Sequence, residues 1–268
     1  MKVLAYIPLI PKPDDDPLKV RIFGRALMGV FRQEWDHEIH YLFDREDFPV
    51  IDNHYAHLVW RYNKARRMAL DGGYDALWTV EADVIVPQDA LVKLAALEAD
   101  VAYGLYMNRH SRKVWLCATE LTYERGRFLS ADPEQARAAW GSAVESRGVG
   151  MGCTLISRHV LEAIEFRHMP GPGHGHGNAN DWYFAIDCQD QAFHQMHHLG
   201  VVCGHITMKP APMILWPDPD AELLYSFEPL PGVVIEPLED GEIVELGLGD
   251  NLFSLEEARE KGFTDGKD

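Results

Sequence analysis

The sequence Ala76-Leu77-Trp78-Thr79-Val80-Glu81-Ala82-Asp83 begins with five uncharged residues, and two acids follow them. The apolar part, residues 76–80, is typical of a strand that is buried on both faces. Ligands of open α/β sheets bind outside the carboxyl ends of the strands. The two carboxylates that follow this strand therefore lie where a ligand site is expected.

The acidic pair has the chemistry of a metal site. Glu81 and Asp83 are one residue apart, so their side chains point to roughly the same side. Hard divalent cations such as Mg²⁺ or Mn²⁺ prefer oxygen ligands, and such a cation bridges the phosphates of a bound nucleotide. Acids after a strand are also common as solvated turn residues, so the pair alone does not establish the site.

Strands and helices alternate around this segment. Apolar runs predict strands at 2–9, 38–43, 76–80 and 100–106, and helical spacing predicts helices at 18–33, 53–70 and 87–97. This alternation implies crossover connections and a mostly parallel sheet with helices on both faces. The predicted fold class is α/β.

The pattern changes after residue 114. We expect a small antiparallel portion at 114–129 and a strand with a following helix at 153–166. A mobile loop rich in Gly, Pro and His is expected at 169–180, followed by a helix at 190–199 and a last strand at 201–206. His194, His197 and His198 then lie on that last helix, where packing is the default role. Residues 1–215 are predicted as the catalytic domain. Residues 216–268 are predicted as an acidic extension with a hairpin, at 233–236 and 243–246, and a short helix that Ser254 caps.

The composition excludes several classes of protein. The net charge is −17, from 42 acidic and 25 basic residues, which disfavours a large nucleic-acid or anionic-membrane footprint. No apolar run approaches the roughly 20 residues of a membrane-spanning helix, and the N-terminus lacks a signal-peptide pattern. We therefore expect a cytoplasmic protein whose four separated cysteines are reduced.

An ordered set of motifs resembles family-2-like glycosyltransferases of the GT-A fold, the nucleotide-diphospho-sugar transferase fold. It consists of Asn63 to Arg67, the strand with Glu81 to Asp83, residues 100–106 with Arg109, Gly148-Val149-Gly150-Met151-Gly152, Gln189-Asp190-Gln191-Ala192-Phe193, and His205. No single motif is specific, and the resemblance depends on their order over residues 1–210. Glu81 stands where the family's D-x-D motif usually begins with aspartate.

The resemblance implies roles for these residues. Asp83 binds Mn²⁺ or Mg²⁺, Glu81 assists directly or through water, and His205 completes the set of ligands. Asp190 is the catalytic base of an inverting enzyme, with Asp187 as the competing base.

The remaining roles concern the two substrates. The residues expected to contact the nucleotide or donor are Asn63, Arg66, Asp44 and Arg109, and those expected near the sugar are Gly150, Gly152 and Trp182. Trp115 and Tyr183 are further aromatic candidates, although buried aromatics are common. His174 and His176, with His168 nearby, are expected in a lid over the donor.

The partners implied are a nucleotide-sugar donor and an unknown acceptor, which is a saccharide, a small molecule, a protein or a modified nucleic acid. A homodimer is left open. One alternative is a nucleotidyltransferase on a related sheet, although the acidic loop at 8–17 lacks the basic glycine-rich pattern of that class. The other is a catalytically silent binding protein on the same fold.

Overall fold

The computed structural model describes residues 1–8, 17–44, 54–109, 114–168, 180–207, 213–229, 243–245 and 252–254. The first half follows the predicted alternation, with elements β1 (Val3–Ile7), α1 (Pro17–Phe31), β2 (Ile39–Phe43), α2 (His54–Asp71), β3 (Ala76–Val80), β4 (Val84–Ile85), α3 (Ala90–Ala95) and β5 (Val101–Leu105). The His-rich loop at 169–179 lies outside the described residues.

The second half begins with short strands and a short helix. Its elements are β6 (Ala118–Leu121), β7 (Gly126–Phe128), α4 (Pro133–Ala139), β8 (Ala143–Glu145), β9 (Cys153–Ser157), α5 (Arg158–Ala163), α6 (Asn180–Asp190), β10 (Gln195–Val202), β11 (Gly204–Thr207), β12 (Met213–Pro217), β13 (Tyr225–Pro229), β14 (Ile243–Glu245) and β15 (Leu252–Ser254). β6 and β7 form the expected antiparallel pair.

A seven-stranded sheet forms the centre of the molecule, in the order β2-β1-β3-β9-β5-β10-β8. β1 is parallel to β2 and β3, and β5 is parallel to β10. β9 runs antiparallel between β3 and β5, and β8 is antiparallel to β10. Five of the seven strands therefore share one direction, as a mostly parallel sheet requires. The pairing of Val80 with Cys153 places the start of β9 beside the carboxyl end of β3.

The core has a layer on each face of the sheet. Every residue of β1, β3 and β5 is buried. Trp78 and Leu77, neighbours on β3, belong to different hydrophobic clusters, because successive strand residues point to opposite faces. α1 and α3 contribute to the Trp78 cluster, and α2 and α5 to the Leu77 cluster. Burying such side chains contributes about 1.5–3 kcal/mol each.

A four-stranded antiparallel sheet, β13-β12-β11-β4, adjoins the carboxyl edge. β4 follows the acidic turn after β3, and it pairs with β11, with His205 opposite Val84. The register therefore carries His205 to the acidic turn. β12 spans residue 215 and β13 continues its sheet to Pro229, so the predicted domain boundary falls inside a strand.

The predicted helix at 190–199 is wrong. α6 ends at Asp190, and β10 occupies Gln195–Val202. Burial in β10 alternates residue by residue, which is the period of a strand. The alternation of apolar and polar residues that indicates a strand is absent from this sequence, because the polar residues Gln195 and His197 lie on the buried face. His197 and His198 thus point to opposite faces.

The C-terminal region is described only in short pieces. β14 pairs with β15, and the first arm of the predicted hairpin, 233–236, lies outside the described residues. Ser254 belongs to β15, and the helix predicted after it also lies outside them. The division into a catalytic domain and an extension stays a prediction. No helix of the described residues is long and apolar enough to cross a membrane.

Candidate metal centre and its surroundings

The turn after β3 is held by backbone hydrogen bonds on both sides. The Glu81 N–H donates to the Gly152 carbonyl oxygen over 3.2 Å, and the Val84 N–H donates to the Glu81 carbonyl oxygen over 3.0 Å. The Ile206 N–H donates to the Asp83 carbonyl oxygen over 2.8 Å. One hydrogen bond within the turn and two to other segments, at Gly152 and Ile206, therefore fix the backbone from which the two carboxylates project.

Glu81, Asp83 and His205 form a cluster, as the sequence predicts for metal ligands. Their potential ligand atoms all lie within 4.8 Å of one another. His205 is buried, and its Nδ1 lies 2.6 Å from the Met107 carbonyl oxygen, to which a protonated Nδ1 donates. In the neutral imidazole this contact leaves Nε2 as the unprotonated nitrogen, 3.7 Å from Asp83 Oδ2. Nε2 is buried and has no hydrogen-bond partner among the described residues.

The cluster fits a divalent cation. A buried nitrogen without a partner costs free energy, and a metal bond would satisfy it. Metal-binding histidines commonly donate their other ring N–H to a carbonyl, as His205 does to Met107. Two carboxylates and one imidazole are a suitable donor set for Mn²⁺ or Mg²⁺.

The electrostatics of the cluster are those of close, poorly solvated charges. The pKa of Glu81 is raised to about 7, mainly by burial and also by the charge of Asp83, against the opposing effect of His205. Burial also raises the pKa of Asp83, but His205 and Arg109 outweigh this effect and hold it below the usual value. A divalent cation would stabilise both carboxylates in their charged forms.

Arg109 lies beside the cluster, where it forms an ion pair with Asp83. Its Nη1 is 2.5 Å from Asp83 Oδ2. The Arg109 side chain is 46% exposed, so it approaches the cluster from the solvent side. The predicted donor-binding arginine therefore contacts the predicted metal ligand.

Asp181, at the start of α6, was not among the site residues predicted from the sequence. Burial is the main cause that raises the pKa of Glu81 and of Tyr106, and the charge of Asp181 adds to it. Burial raises the pKa of Asp181 itself, while the Trp182 N–H, 2.8 Å from its Oδ1, lowers it. The sequence does contain a signal, because Asp181 precedes Phe184 by three positions, as Asp190 precedes Phe193.

Asp190 and Asp187 do not share this location. Asp190 is the last residue of α6, nine residues from Asp181, which is roughly 13 Å along a helix. It is exposed, and it accepts a hydrogen bond from the Tyr123 hydroxyl over 3.3 Å. Asp187 is bound on both carboxylate oxygens by Arg167. Neither residue belongs to the cluster of Glu81, Asp83 and His205.

Asn63 and Arg66 contact α5 and the segment after it, not the acidic turn. Asn63 forms two hydrogen bonds with the backbone of Phe166, through its Nδ2 over 2.8 Å and its Oδ1 over 2.9 Å. Arg66 donates from Nε to the Leu161 carbonyl oxygen over 2.6 Å and pairs with Glu165. These contacts anchor α2 to α5 and the segment after it. They do not support the predicted contact with the nucleotide.

Asp44, at the end of β2, forms a buried ion pair. Its Oδ1 is 2.9 Å from Arg61 Nη1, and its Oδ2 accepts a hydrogen bond from the Tyr6 hydroxyl over 3.2 Å. Nearby Asp44 also contributes to raising the pKa of Tyr6, after the larger effect of burial. A contact between Asp44 and a nucleotide base or ribose would compete with these partners.

The glycine-rich loop before β9 packs around one buried tyrosine. A β-carbon at Gly150 would lie 2.2 Å from the Tyr106 hydroxyl oxygen, and one at Gly152 would lie 2.7 Å from the Tyr106 ring. The Gly152 N–H donates to that hydroxyl over 2.8 Å, and the Tyr106 ring meets the His205 ring edge to face. The small residues thus leave room for Tyr106, which in turn packs against a candidate metal ligand.

The aromatic candidates for a sugar platform are buried. Trp182 donates from Nε1 to the Thr122 carbonyl oxygen, and Trp115 donates from Nε1 to the Leu224 carbonyl oxygen. Tyr183 is buried beneath Arg167 and Tyr123. These rings belong to the core, so the structure does not support the sugar contact predicted for Trp182.

Comparisons with known proteins support the fold more strongly than any family. No protein-family model matches the sequence, and no curated protein matches it. The structure is similar to that of A197 from STIV, with a TM-score of 0.51 and 19% sequence identity over 82% of this chain and 91% of that one. At this identity the similarity concerns the fold alone.

Two further matches are weaker, with TM-scores below 0.4. A structure described as a nucleotide-diphospho-sugar transferase from Desulfovibrio desulfuricans G20 has a TM-score of 0.38 and 10% identity, over 74% of this chain and 80% of that one. S. aureus TarS 1–349 in complex with UDP has a TM-score of 0.37 and 14% identity, over 74% and 57% of the two chains. The chain has an α/β fold with a mostly parallel central sheet, and the acidic turn and His205 lie at the carboxyl edge of that sheet.

Proposed function

We propose that this chain is a metal-dependent glycosyltransferase that moves a sugar from a nucleotide-sugar donor to a hydroxyl acceptor. The observation that carries the proposal is the cluster of Glu81, Asp83 and His205 at the carboxyl edge, with the buried and unpaired Nε2 of His205. This edge is where open α/β sheets bind ligands. A protein that bound no cation here would leave this buried nitrogen without a partner among the described residues.

The three residues would hold Mn²⁺ or Mg²⁺, which supplies positive charge for the diphosphate of the donor. Asp83 projects from a turn that three backbone hydrogen bonds fix, and the Met107 carbonyl fixes the ring of His205. The ligands are therefore positioned before any cation binds, which lowers the entropy cost of binding.

Asp181 is the group we assign as the catalytic base, in place of Asp190. Its pKa is raised by burial, which suits a carboxylate that accepts a proton. As the acceptor oxygen bonds to the anomeric carbon, Asp181 takes the hydroxyl proton. The bond from that carbon to the phosphate oxygen breaks, and the nucleoside diphosphate leaves. Attack from the face opposite the leaving group would invert the anomeric configuration.

Binding of Mn²⁺ tests the centre directly. We expect the wild-type protein to bind one Mn²⁺, measured by the electron paramagnetic resonance signal of the free ion. Asp83→Asn should weaken this binding at least tenfold, since it removes an anionic ligand. Asp89→Asn is the matched control, because Asp89 pairs with Lys93 on α3. Equal binding by wild type and Asp83→Asn would place the cation elsewhere and refute the proposed centre.

Nucleotide binding tests the transferase assignment. UDP and GDP are to be compared by thermal unfolding, with and without Mn²⁺. A nucleotide present at about 100 times its Kd adds about 2.7 kcal/mol of stability, which raises Tm by several degrees in a chain of this size. A panel of nucleotide sugars would then identify the donor. If no nucleotide or nucleotide sugar shifts Tm in either condition, the glycosyltransferase proposal fails.

A further inference from the structure

One carboxylate oxygen faces two nitrogen-bearing side chains. Asp83 Oδ2 lies 2.5 Å from Arg109 Nη1 and 3.7 Å from His205 Nε2. The first distance is a charge-assisted hydrogen bond, and the second is too long for a hydrogen bond. Arg109 therefore already binds the oxygen that a cation at the cluster would use.

Arg109 and His205 differ in how firmly they are held. His205 is buried and bound to the Met107 carbonyl. Arg109 stands just beyond β5, and the N–H of its neighbour Asn108 donates to the Val114 carbonyl oxygen. The backbone at Arg109 is thus anchored while its long side chain is half-exposed. The guanidinium can leave Asp83 without disturbing the cluster.

We propose that Arg109 is a positioning residue that pairs with Asp83 in the cation-free protein and is released when a divalent cation binds. This inference rests on the proposed metal centre. A cation bonded to Oδ2 withdraws negative charge from that oxygen and repels the guanidinium, because both are positive and only a few ångströms apart. The released Arg109 then stands at the mouth of the centre, where it binds the diphosphate of the donor.

The proposal predicts two opposite effects of one substitution. Arg109→Gln should bind Mn²⁺ about tenfold more tightly than wild type, because the competing ion pair is gone. In saturating Mn²⁺ the same variant should bind UDP about tenfold more weakly, because an arginine contact to the diphosphate is lost. A residue that merely stabilised the turn would weaken both ligands when removed.

The control is Arg127→Gln, which removes the same charge from an exposed residue on β7 that pairs with Glu120. Its Mn²⁺ and UDP affinities should equal those of wild type. Tighter Mn²⁺ binding only in Arg109→Gln supports the proposal, even if wild-type binding is too weak to detect. Unchanged or weaker Mn²⁺ binding in Arg109→Gln overturns it while leaving the metal centre intact. If wild type and Arg109→Gln both fail to bind Mn²⁺, the metal centre fails as well.

Discussion

Asp181 and Asp190 have the same local spacing, each three positions before a phenylalanine, and α6 carries both. Their surroundings are opposite. Asp181 is partly buried, and burial raises its pKa, whereas Asp190 is exposed beside Tyr123. A base must lie within reach of the proton that it removes, so position along the helix decides between the two.

Asp181→Asn should lower turnover by a factor of about 10²–10⁴, the usual contribution of a general base. Asp190→Asn should stay within about twofold of wild type, because Asp190 is exposed at the far end of α6. The measurement is release of nucleoside diphosphate from the donor that the thermal panel selects. The reverse ranking of the two variants would restore Asp190 as the base.

His197 predicts a pH dependence of stability. Burial lowers the pKa of this histidine to about 3, against the opposing hydrogen bond to the Leu116 carbonyl. The unfolded chain binds a proton at this position below about pH 6.5, and the native protein only below about pH 3. Between these values the unfolded state binds more protons, so the unfolding free energy falls as the pH falls.

The contribution of His197 to this slope should approach about 1.4 kcal/mol per pH unit. Urea unfolding between pH 4 and 7 measures it. His197→Phe should be less stable at pH 7 and should show a shallower slope below pH 6.5. An unchanged slope in that variant would assign the pH dependence to other groups.

The candidate site could be predicted where it depends on local pattern. Glu81 and Asp83 follow an apolar strand, and the order of motifs indicated His205. The partners of Asn63 and Arg66 could not be predicted, because they lie about 100 positions away in sequence. No local pattern shows that a helix residue is already bound by a distant carbonyl.

At the level of elements, the loop before β9 combines strain with close packing. Gly148, Val149 and Gly150 all have positive φ, at 70°, 101° and 100°. A β-branched residue such as Val149 rarely adopts this conformation, and strained backbone of this kind costs about 1–3 kcal/mol. The loop contacts Tyr106 and the Glu81 N–H, so the strain lies beside the candidate metal centre.

Gly150→Ala should therefore destabilise the protein by more than backbone strain alone. The new β-carbon would meet the Tyr106 hydroxyl, and Tyr106 is buried, so we expect about 1–3 kcal/mol beyond the cost of the positive φ. Gly141→Ala is the matched control, because Gly141 has φ of 76° with nothing within 4 Å of a β-carbon. If urea unfolding shows that both variants lose the same free energy of unfolding, the loop before β9 rearranges to accommodate the added methyl group, and the prediction is wrong.

Elements were predicted correctly where their residues follow a simple apolar pattern. β3 matches the predicted strand at 76–80 because its residues are uniformly apolar. β10 was predicted as a helix because polar side chains occupy its buried face. There the hydrogen bonds of His197, to Ser146 and to the Leu116 carbonyl, replace the apolar contacts that sequence patterns detect.

For the whole molecule, truncation tests where the catalytic unit ends. A chain that stops at Pro229 keeps β12 and β13, and we expect it to unfold within a few degrees of wild type. A chain that stops at residue 215 loses the partner of Trp115, whose buried Nε1 donates to the Leu224 carbonyl. An unpaired buried donor costs about 1–3 kcal/mol, and the lost burial of Leu224 and Tyr225 adds to it.

Circular dichroism melting of the two truncated chains gives the measurement. The shorter chain should melt far lower or fail to fold. If both truncated chains have the same Tm, the domain boundary predicted from the sequence at residue 215 is supported. A fall in Tm for the longer chain as well would show that residues after 229 contribute to the stability of the domain.

The alternation of strands and helices was sufficient to predict a mostly parallel sheet. It did not predict where each strand inserts, because local sequence carries no information about sheet order. The insertion of β9 between β3 and β5 is the main example.

That insertion has a consequence for biosynthesis. When the ribosome has made the first 110 residues, β3 and β5 are complete, but the strand that must lie between them is still about 50 residues away. Until it arrives, both strands have an open apolar edge, which is a template for pairing with other chains. Nascent chains stalled before residue 153 should therefore need chaperones, and those extended beyond residue 157 should need them less.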